Sequence, residues 1–92
     1  MQWKLFADLA EVAGTKRVPV DLDSGATVAD AVDALLEEHP DLAPRIRDED
    51  GGLADHVNLL RNGENVFAAG EGLETPVNED DELALFPPVS GG

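Results

Sequence analysis

Three segments alternate apolar and polar residues as β-strands do. These segments are residues 2–7 (QWKLFA), 17–22 (RVPVDL) and 82–86 (ELALF). Proline lacks the backbone donor that a strand ladder needs, so Pro19 predicts that the second strand lies at an edge of the sheet. The residues expected to face the core are Trp3, Leu5, Ala7, Val18, Val20, Leu22, Leu83 and Leu85.

Residues 27–39 carry a helical pattern, with one apolar stripe made of Val28, Ala31, Val32, Leu35 and Leu36. Thr27 stands three residues before Asp30, which predicts a capping box with aspartate in the place of glutamate. Pro40 ends the helix. We expect His39, in the last turn, to cap the helix or to be solvated.

The connecting segments are predicted from their turn residues. We expect a short helix at 8–14 and a helical turn followed by an acidic loop at 41–52. A hairpin is predicted at 55–66, because Asn62-Gly63 suits the two positive φ angles of a type I′ turn. Residues 68–81 are rich in glycine and acids and are predicted to form a long loop.

The order of these elements predicts one α+β domain over residues 1–86, in which a single main helix crosses one face of the sheet. Residues 87–92 are expected to form a flexible, extended tail. No internal repeat or second domain is indicated in the 92 residues.

Acidic residues dominate the charge: 20 acids face six basic residues, for a formal net charge of −14. Nucleic acid and anionic membrane surfaces are therefore not expected as partners, because phosphates need a basic surface. Two explanations of the charge stay open. The acids either suit a salty cytoplasm, where a Debye length of about 3 Å at 1 M screens their repulsion, or steer a basic partner toward the protein.

The chain has no cysteine, which excludes disulfides, thiolate zinc sites and a cysteine nucleophile. No apolar run is long enough to span a bilayer, and the first residues do not resemble a secretory signal. From these features we expect a cytoplasmic protein.

No catalytic or metal motif is found. His39 and His56 form no spaced metal pair, and Ser24 and Ser90 lack the GxSxG surroundings of a nucleophile elbow. The acids at 48–50 suggest a calcium loop, but Ile46 and Val57 stand where that loop needs oxygen ligands. We therefore expect neither an enzyme nor a bound metal or cofactor.

The final residues, Pro87 to Gly92, have properties of their own. Pro87 and Pro88 favour an extended backbone. Gly91 and Gly92 lack a Cβ and could pass through a narrow slot in another protein. The Gly92 carboxylate is thus predicted to be a reactive group that attacks the α-phosphate of ATP in the active site of another protein, giving an acyl adenylate.

The segments LFADLAEVAG, VNLLRNGE and DELALFPPVSGG resemble the ubiquitin-like β-grasp proteins, most closely the small archaeal modifier proteins and the small, sulfur-carrying subunit of molybdopterin synthase. The similarity covers essentially the whole chain. It implies a β-grasp fold, in which a mixed sheet of four to five strands grips the helix at 27–39.

The resemblance also implies a function. An E1-like adenylating enzyme would use ATP to activate Gly92. The product would be a thiocarboxylate for molybdopterin or tRNA thiolation, or an isopeptide bond to a lysine of a target protein. The expected partners are that enzyme, the target lysines and the molybdopterin synthase large subunit or another sulfur acceptor. The alternative is a non-covalent β-grasp adaptor whose tail is incidental.

By the same resemblance, the activating enzyme would recognise the tail and the residue before it. Phe6 is expected either to pack beneath the loop that follows it or to contact a partner, and Phe86 either to contact a partner or to join the core. Lys4 and Lys16 are candidate acceptors of a modifier, or ordinary surface cations. The tail residues that the activating enzyme would recognise are Pro87, Pro88, Val89, Ser90 and Gly91.

Overall fold

The computed structural model describes residues 1–48, 53–54 and 57–87, without the side chain of Ala69. Two 3₁₀ turns, Pro40–Leu42 and Gly72–Glu74, accompany the regular elements of this part of the chain. In order, those elements are β1 (Gln2–Leu5), α1 (Asp8–Ala13), β2 (Arg17–Pro19), α2 (Val28–Glu38), α3 (Ala43–Ile46), β3 (Asn58–Arg61), β4 (Glu64–Asn65), α4 (Val66–Ala69) and β5 (Glu82–Phe86).

The strands form one mixed sheet of five, in the order β2-β1-β5-β3-β4. The two central strands, β1 and β5, are parallel, and every other neighbouring pair is antiparallel. Leu85 of β5 is paired with Leu5 on one side and with Leu59 on the other. The predicted mixed sheet of the β-grasp arrangement and the edge position of the strand with Pro19 are confirmed.

The core lies between the sheet and α2. Trp3 is fully buried, and its indole N–H donates to the Ala31 carbonyl of α2 at 3.0 Å. This bond satisfies the one polar atom of the side chain, so its burial carries no desolvation penalty for an unpaired donor. The other residues of the core that are buried to 2% exposure or less are Leu5, Leu9, Val18, Val28, Ala31, Leu35, Leu42, Ile46, Leu59, Leu83 and Leu85.

Helix α2 begins as its sequence predicts. The Thr27 backbone N–H donates to Asp30 Oδ2 at 2.9 Å, and the Thr27 hydroxyl donates to the same oxygen at 3.3 Å. The predicted apolar stripe faces the core, although Leu36 is only half-buried. His39 follows the helix as its C-cap and is half-buried, and its backbone N–H donates to the Leu35 carbonyl at 2.9 Å.

The hairpin between β3 and β4 is also confirmed. Asn62 and Gly63 have φ angles of 50° and 90°, the positive pair that a type I′ turn requires. The strands are shorter than predicted, because β4 ends at Asn65 and the chain enters α4 at once. The beginning of the predicted segment, residues 55–56, lies outside the described residues.

Two of the predicted strands end early. The first ends at Leu5, and Ala7 is exposed with a φ of 54°, so the prediction that Ala7 faces the core is wrong. The strand at 17–22 ends at Pro19, although Val20 is buried and Leu22 packs against the core. In both segments, buried and exposed side chains continue to alternate for at least one residue after the hydrogen-bonded pairing of the strand has ended.

The prediction of a long loop at 68–81 is wrong in part. This stretch contains the end of α4 and the 3₁₀ turn Gly72–Glu74, and it is attached to the start of α2. The Val28 N–H donates to the Thr75 carbonyl at 2.9 Å, and the Val77 N–H donates to the Ala26 carbonyl at 3.0 Å.

Residues 40–46 form the predicted helical turn, as the 3₁₀ turn and α3. Most of the acidic loop predicted after it, residues 49–52, lies outside the described residues. Within the part of the chain that is described, no helix has the length and apolar composition that a membrane crossing requires.

Candidate functional site

The chain leaves the sheet at the end of β5. Because β5 lies between β1 and β3, its end is at the middle of the sheet and not at a corner. Pro87 follows directly and is half-buried. The remaining tail residues predicted to be functional lie outside the described residues; they are Pro88, Val89, Ser90, Gly91 and Gly92.

Two aromatic rings stand beside this exit. Phe6 and Phe86 each follow a buried leucine, Leu5 and Leu85, which are paired in the parallel ladder. Their rings are stacked, with 4.2 Å between centroids and 12° between planes. Phe6 is 37% exposed and Phe86 is half-buried. The two residues predicted to contact a partner are thus brought together, whereas the simpler expectation that Phe6 packs beneath a loop is wrong.

An open groove of about 640 Å³ adjoins Phe6. It is bounded by the end of β1, by α1 and by the turn that leads into β2, and we call it the α1 groove. Its apolar lining is formed by Phe6, Ala7 and Ala10. Its positive charge comes from Lys4, Lys16 and Arg17. The groove and the aromatic pair therefore form one continuous surface beside the exit of the tail.

The two candidate acceptor lysines both line this groove. Lys4 Nζ lies 3.5 Å from a Glu82 carboxylate oxygen, and its side chain is 36% exposed. Lys16 is exposed, and its backbone carbonyl accepts from the Leu5 N–H at 2.8 Å. Both amines are accessible to solvent, so either could meet an activated carboxylate of another molecule.

Asp81 joins the hairpin turn to the start of β5, which the sequence did not reveal. Its Oδ1 accepts from Asn62 Nδ2 at 2.8 Å, and its Oδ2 accepts from Arg61 Nε at 3.0 Å and from the Asn78 N–H at 2.8 Å. Burial alone would raise the pKa of Asp81. The hydrogen bonds from Asn78, Asn62 and Arg61, together with the Arg61 charge, outweigh burial and hold the pKa below its ordinary value.

Among the described residues, acidic side chains occur in ion pairs with basic ones but not in clusters that could hold a metal ion. No group of three or more metal-ligating side chains occurs among them. Outside the α1 groove, carboxylates of the described residues form ion pairs with arginines: Asp8 with Arg45 at 2.6 Å, Asp33 with Arg47, and Asp81 with Arg61 at 3.0 Å. What the fold presents is an exit for the tail with an adjoining apolar and cationic surface.

Comparison with known proteins gives consistent results. The model of the ThiS family matches residues 3–92. The small archaeal modifier protein 1 of Haloferax volcanii is 61% identical over 92 residues, covering all of both chains. The molybdopterin synthase sulfur carrier subunit of Drosophila yakuba is 32% identical over 87 residues, or 95% of this chain and 84% of the relative. The crystal structure of SAMP1 from Haloferax volcanii superposes with a TM-score of 0.90 at 58% identity, covering 100% of this chain and 98% of that one.

Proposed function

Because the chain belongs to the ThiS family, whose relatives are ubiquitin-like modifiers and sulfur carriers, we propose that a partner enzyme activates its C-terminal carboxylate. In this function the chain is the substrate, and the partner supplies the catalytic groups. The relatives are small carrier and modifier proteins and not catalytic enzymes.

The observation that supports this proposal most strongly is the position of the exit. The tail begins directly after the central strand β5, and the last residue of that strand, Phe86, stacks on Phe6. Half-exposed aromatic residues are typical anchors of protein interfaces. A partner that packs on this aromatic pair therefore stands next to the point at which the chain leaves the sheet after Phe86.

The chemistry needs only the carboxylate and the partner's ATP. A carboxylate oxygen of Gly92 attacks the α-phosphate of ATP, and pyrophosphate leaves. Hydrosulfide then displaces AMP to give a thiocarboxylate, or the neutral amine of a lysine displaces AMP and loses a proton to give an isopeptide bond. Glycine at the terminus leaves the carbonyl free of side-chain hindrance in either step.

Both outcomes are represented among the relatives, one named as a modifier and one as a sulfur carrier subunit. In the first, the acceptors are lysines of target proteins, and Lys4 and Lys16 are candidates when a second copy is the target. In the second, the acceptor is the molybdopterin synthase large subunit or another protein that uses the sulfur. Mass spectrometry of the protein isolated from cells separates them, because exchange of oxygen for sulfur marks the terminus and a branched peptide marks a lysine.

The decisive experiment removes Gly91 and Gly92. The intact chain should release pyrophosphate from ATP in the presence of an E1-like adenylating enzyme, and the truncated chain should release none. Phe67→Ala provides a matched control, because Phe67 is 51% exposed but lies on α4, away from the exit. Equal adenylate formation by intact and truncated chains would reject the proposal.

The alternative function is a non-covalent adaptor. It predicts that the truncated chain still captures the same partners in a pull-down as the intact chain does. If truncation abolishes both adenylation and capture, the adaptor hypothesis fails.

The acidic surface fits a salty cytoplasm, which we propose as the site of action. The 20 acids occur from Asp8 to Glu82 and not as one block that a single basic partner would cover. High salt would screen their mutual repulsion.

A further inference from the structure

The positive charges of this acidic protein are unevenly placed. Arg45, Arg47 and Arg61 each form an ion pair with an aspartate. The side chains of Lys16 and Arg17 form no ion pair with any residue that the structure describes. Two adjacent cations that have no carboxylate partner in the described part of the chain are unexpected in a protein with 20 acids.

The third cation of the α1 groove adds to this imbalance. Lys4 and Arg17 are directly opposite each other in the antiparallel ladder of β1 and β2. Like charges in this relationship destabilise a sheet. Only Lys4 has a described carboxylate near it, Glu82 at 3.5 Å. The fold thus tolerates a repulsive pair at the rim of an open groove, where a bound anion would relieve the repulsion.

The groove also offers an apolar surface to a ligand. Phe6, Ala7 and Ala10 line it, and its volume of about 640 Å³ is enough for several side chains. Glu11 is the one acidic residue that lines it. The ligand that fits this chemistry combines negative charge with apolar side chains.

We propose that the α1 groove binds an acidic peptide segment of a partner protein, with its apolar side chains against Phe6 and Ala10 and its carboxylates against Lys16 and Arg17. A nucleic acid fits less well, because the cationic area is small and the protein around it has a net charge of −14, which repels phosphates. The interaction is non-covalent and does not use Gly92.

The test uses the full chain and a fluorescein-labelled peptide, Gly-Glu-Glu-Leu-Leu-Glu-Glu-Gly, followed by fluorescence anisotropy. The peptide should bind more weakly when its glutamates are changed to glutamine or its leucines to alanine. Arg17→Gln should weaken binding about threefold, and Lys16→Gln with Arg17→Gln about tenfold, as expected for exposed charge pairs. Glu11→Gln should strengthen binding about twofold, because a repulsive charge is removed.

Arg47→Gln is the matched control, since it removes the same charge outside the groove and should leave the affinity unchanged. Circular dichroism should be used to check that each variant is folded. Equal binding by the intact chain, Arg17→Gln and Arg47→Gln would overturn the proposal, and so would an oligonucleotide that displaces the peptide. The proposal would also be overturned if the peptide does not bind and the protein instead self-associates in sedimentation experiments. If Arg17→Gln abolishes that self-association, the groove is a contact between two copies of the chain.

The proposal and the adenylation of the tail are separable. A chain without Gly91 and Gly92 should bind the peptide as tightly as the intact chain, even though we expect it not to be adenylated. If the intact chain is adenylated but does not bind the peptide, the groove proposal alone is rejected.

Discussion

The rings of Phe6 and Phe86 stack with 4.2 Å between their centroids, although the two residues come from opposite ends of the chain. The parallel pairing of β1 with β5 produces this contact. It places Leu5 beside Leu85, so the residues that follow them, Phe6 and Phe86, also lie side by side. Leu5 and Leu85 are buried against α2, so the two phenylalanines lie on the other face of the sheet.

This aromatic pair should matter more for partner binding than for stability. We expect Phe6→Ala to lower the free energy of unfolding by about 1 kcal/mol, the usual contribution of an aromatic pair. With an E1-like enzyme, the KM for the carrier should rise and kcat should change less, since the docking surface is altered and the tail is not. Phe67→Ala serves as the control, and a similar effect of both variants on KM would contradict a specific role for the pair.

The capping box at the start of α2 should contribute measurably to stability. Asp30→Ala removes the acceptor of the Thr27 N–H and should lower the free energy of unfolding by about 1 kcal/mol. Urea denaturation measures this loss. Glu37→Ala, at an exposed position of the same helix, is the control and should change stability little.

Asp81 should make stability depend on pH. Because its pKa is lower in the folded protein, its contribution is fully present above the unfolded value of about 3.9 and is lost as pH falls through the folded pKa. At neutral pH, Asp81→Asn should be less stable by about 1–2 kcal/mol, because an amide N–H₂ then faces other donors. The difference between the two proteins should shrink in acid, and a constant difference down to about pH 2 would contradict this explanation.

The turn residue Gly63 is constrained by its backbone and not by crowding. Its φ is +90°, and a Cβ built there would meet no atom within 4 Å. Gly63→Ala should therefore cost about 1 kcal/mol through backbone strain. Gly63→Asn should cost less, since asparagine tolerates positive φ, and equal losses in thermal unfolding would count against strain as the cause.

Stability should increase with salt up to the molar range. Potassium chloride at about 1 M shortens the Debye length to roughly 3 Å and screens the repulsion among the acids. Replacing two exposed acids, by Asp21→Asn with Glu79→Gln, should reduce the salt dependence of the denaturation midpoint. A midpoint that stays flat or falls with salt would indicate instead that the acids serve a basic partner.

The sequence predicted those parts of the fold that depend on neighbouring residues. The stripe from Val28 to Leu35, the Thr27 cap and the Asn62-Gly63 turn each require only a few consecutive side chains, and all three are confirmed. The short helix at Val66–Ala69 was missed even though it has a local signal. Its cap is Asn65, whose Oδ1 accepts from the Phe67 N–H at 2.8 Å and the Ala68 N–H at 3.2 Å.

Other features depend on residues that are distant in the chain, which a local pattern does not contain. Packing beneath a loop was one of the two expectations for Phe6, and its stacking on Phe86 was in neither, because the two residues become neighbours only when the sheet forms. Asp81 is one of four consecutive acids at 79–82, and only contact with Asn62 and Arg61 distinguishes it. The α1 groove likewise forms only when α1 packs beside β1 and β2.

The place of β5 in the sheet has a consequence for quality control in the cell. Among the described strands, β2 and β1 on one side and β3 and β4 on the other are joined only through β5. A chain cut before Glu82 would leave two isolated ribbons, and two-stranded ribbons are marginally stable in water. The strand that completes the sheet also leads into the tail that we propose is activated, so a copy cut before Glu82 would lose both at once and would be open to proteolysis.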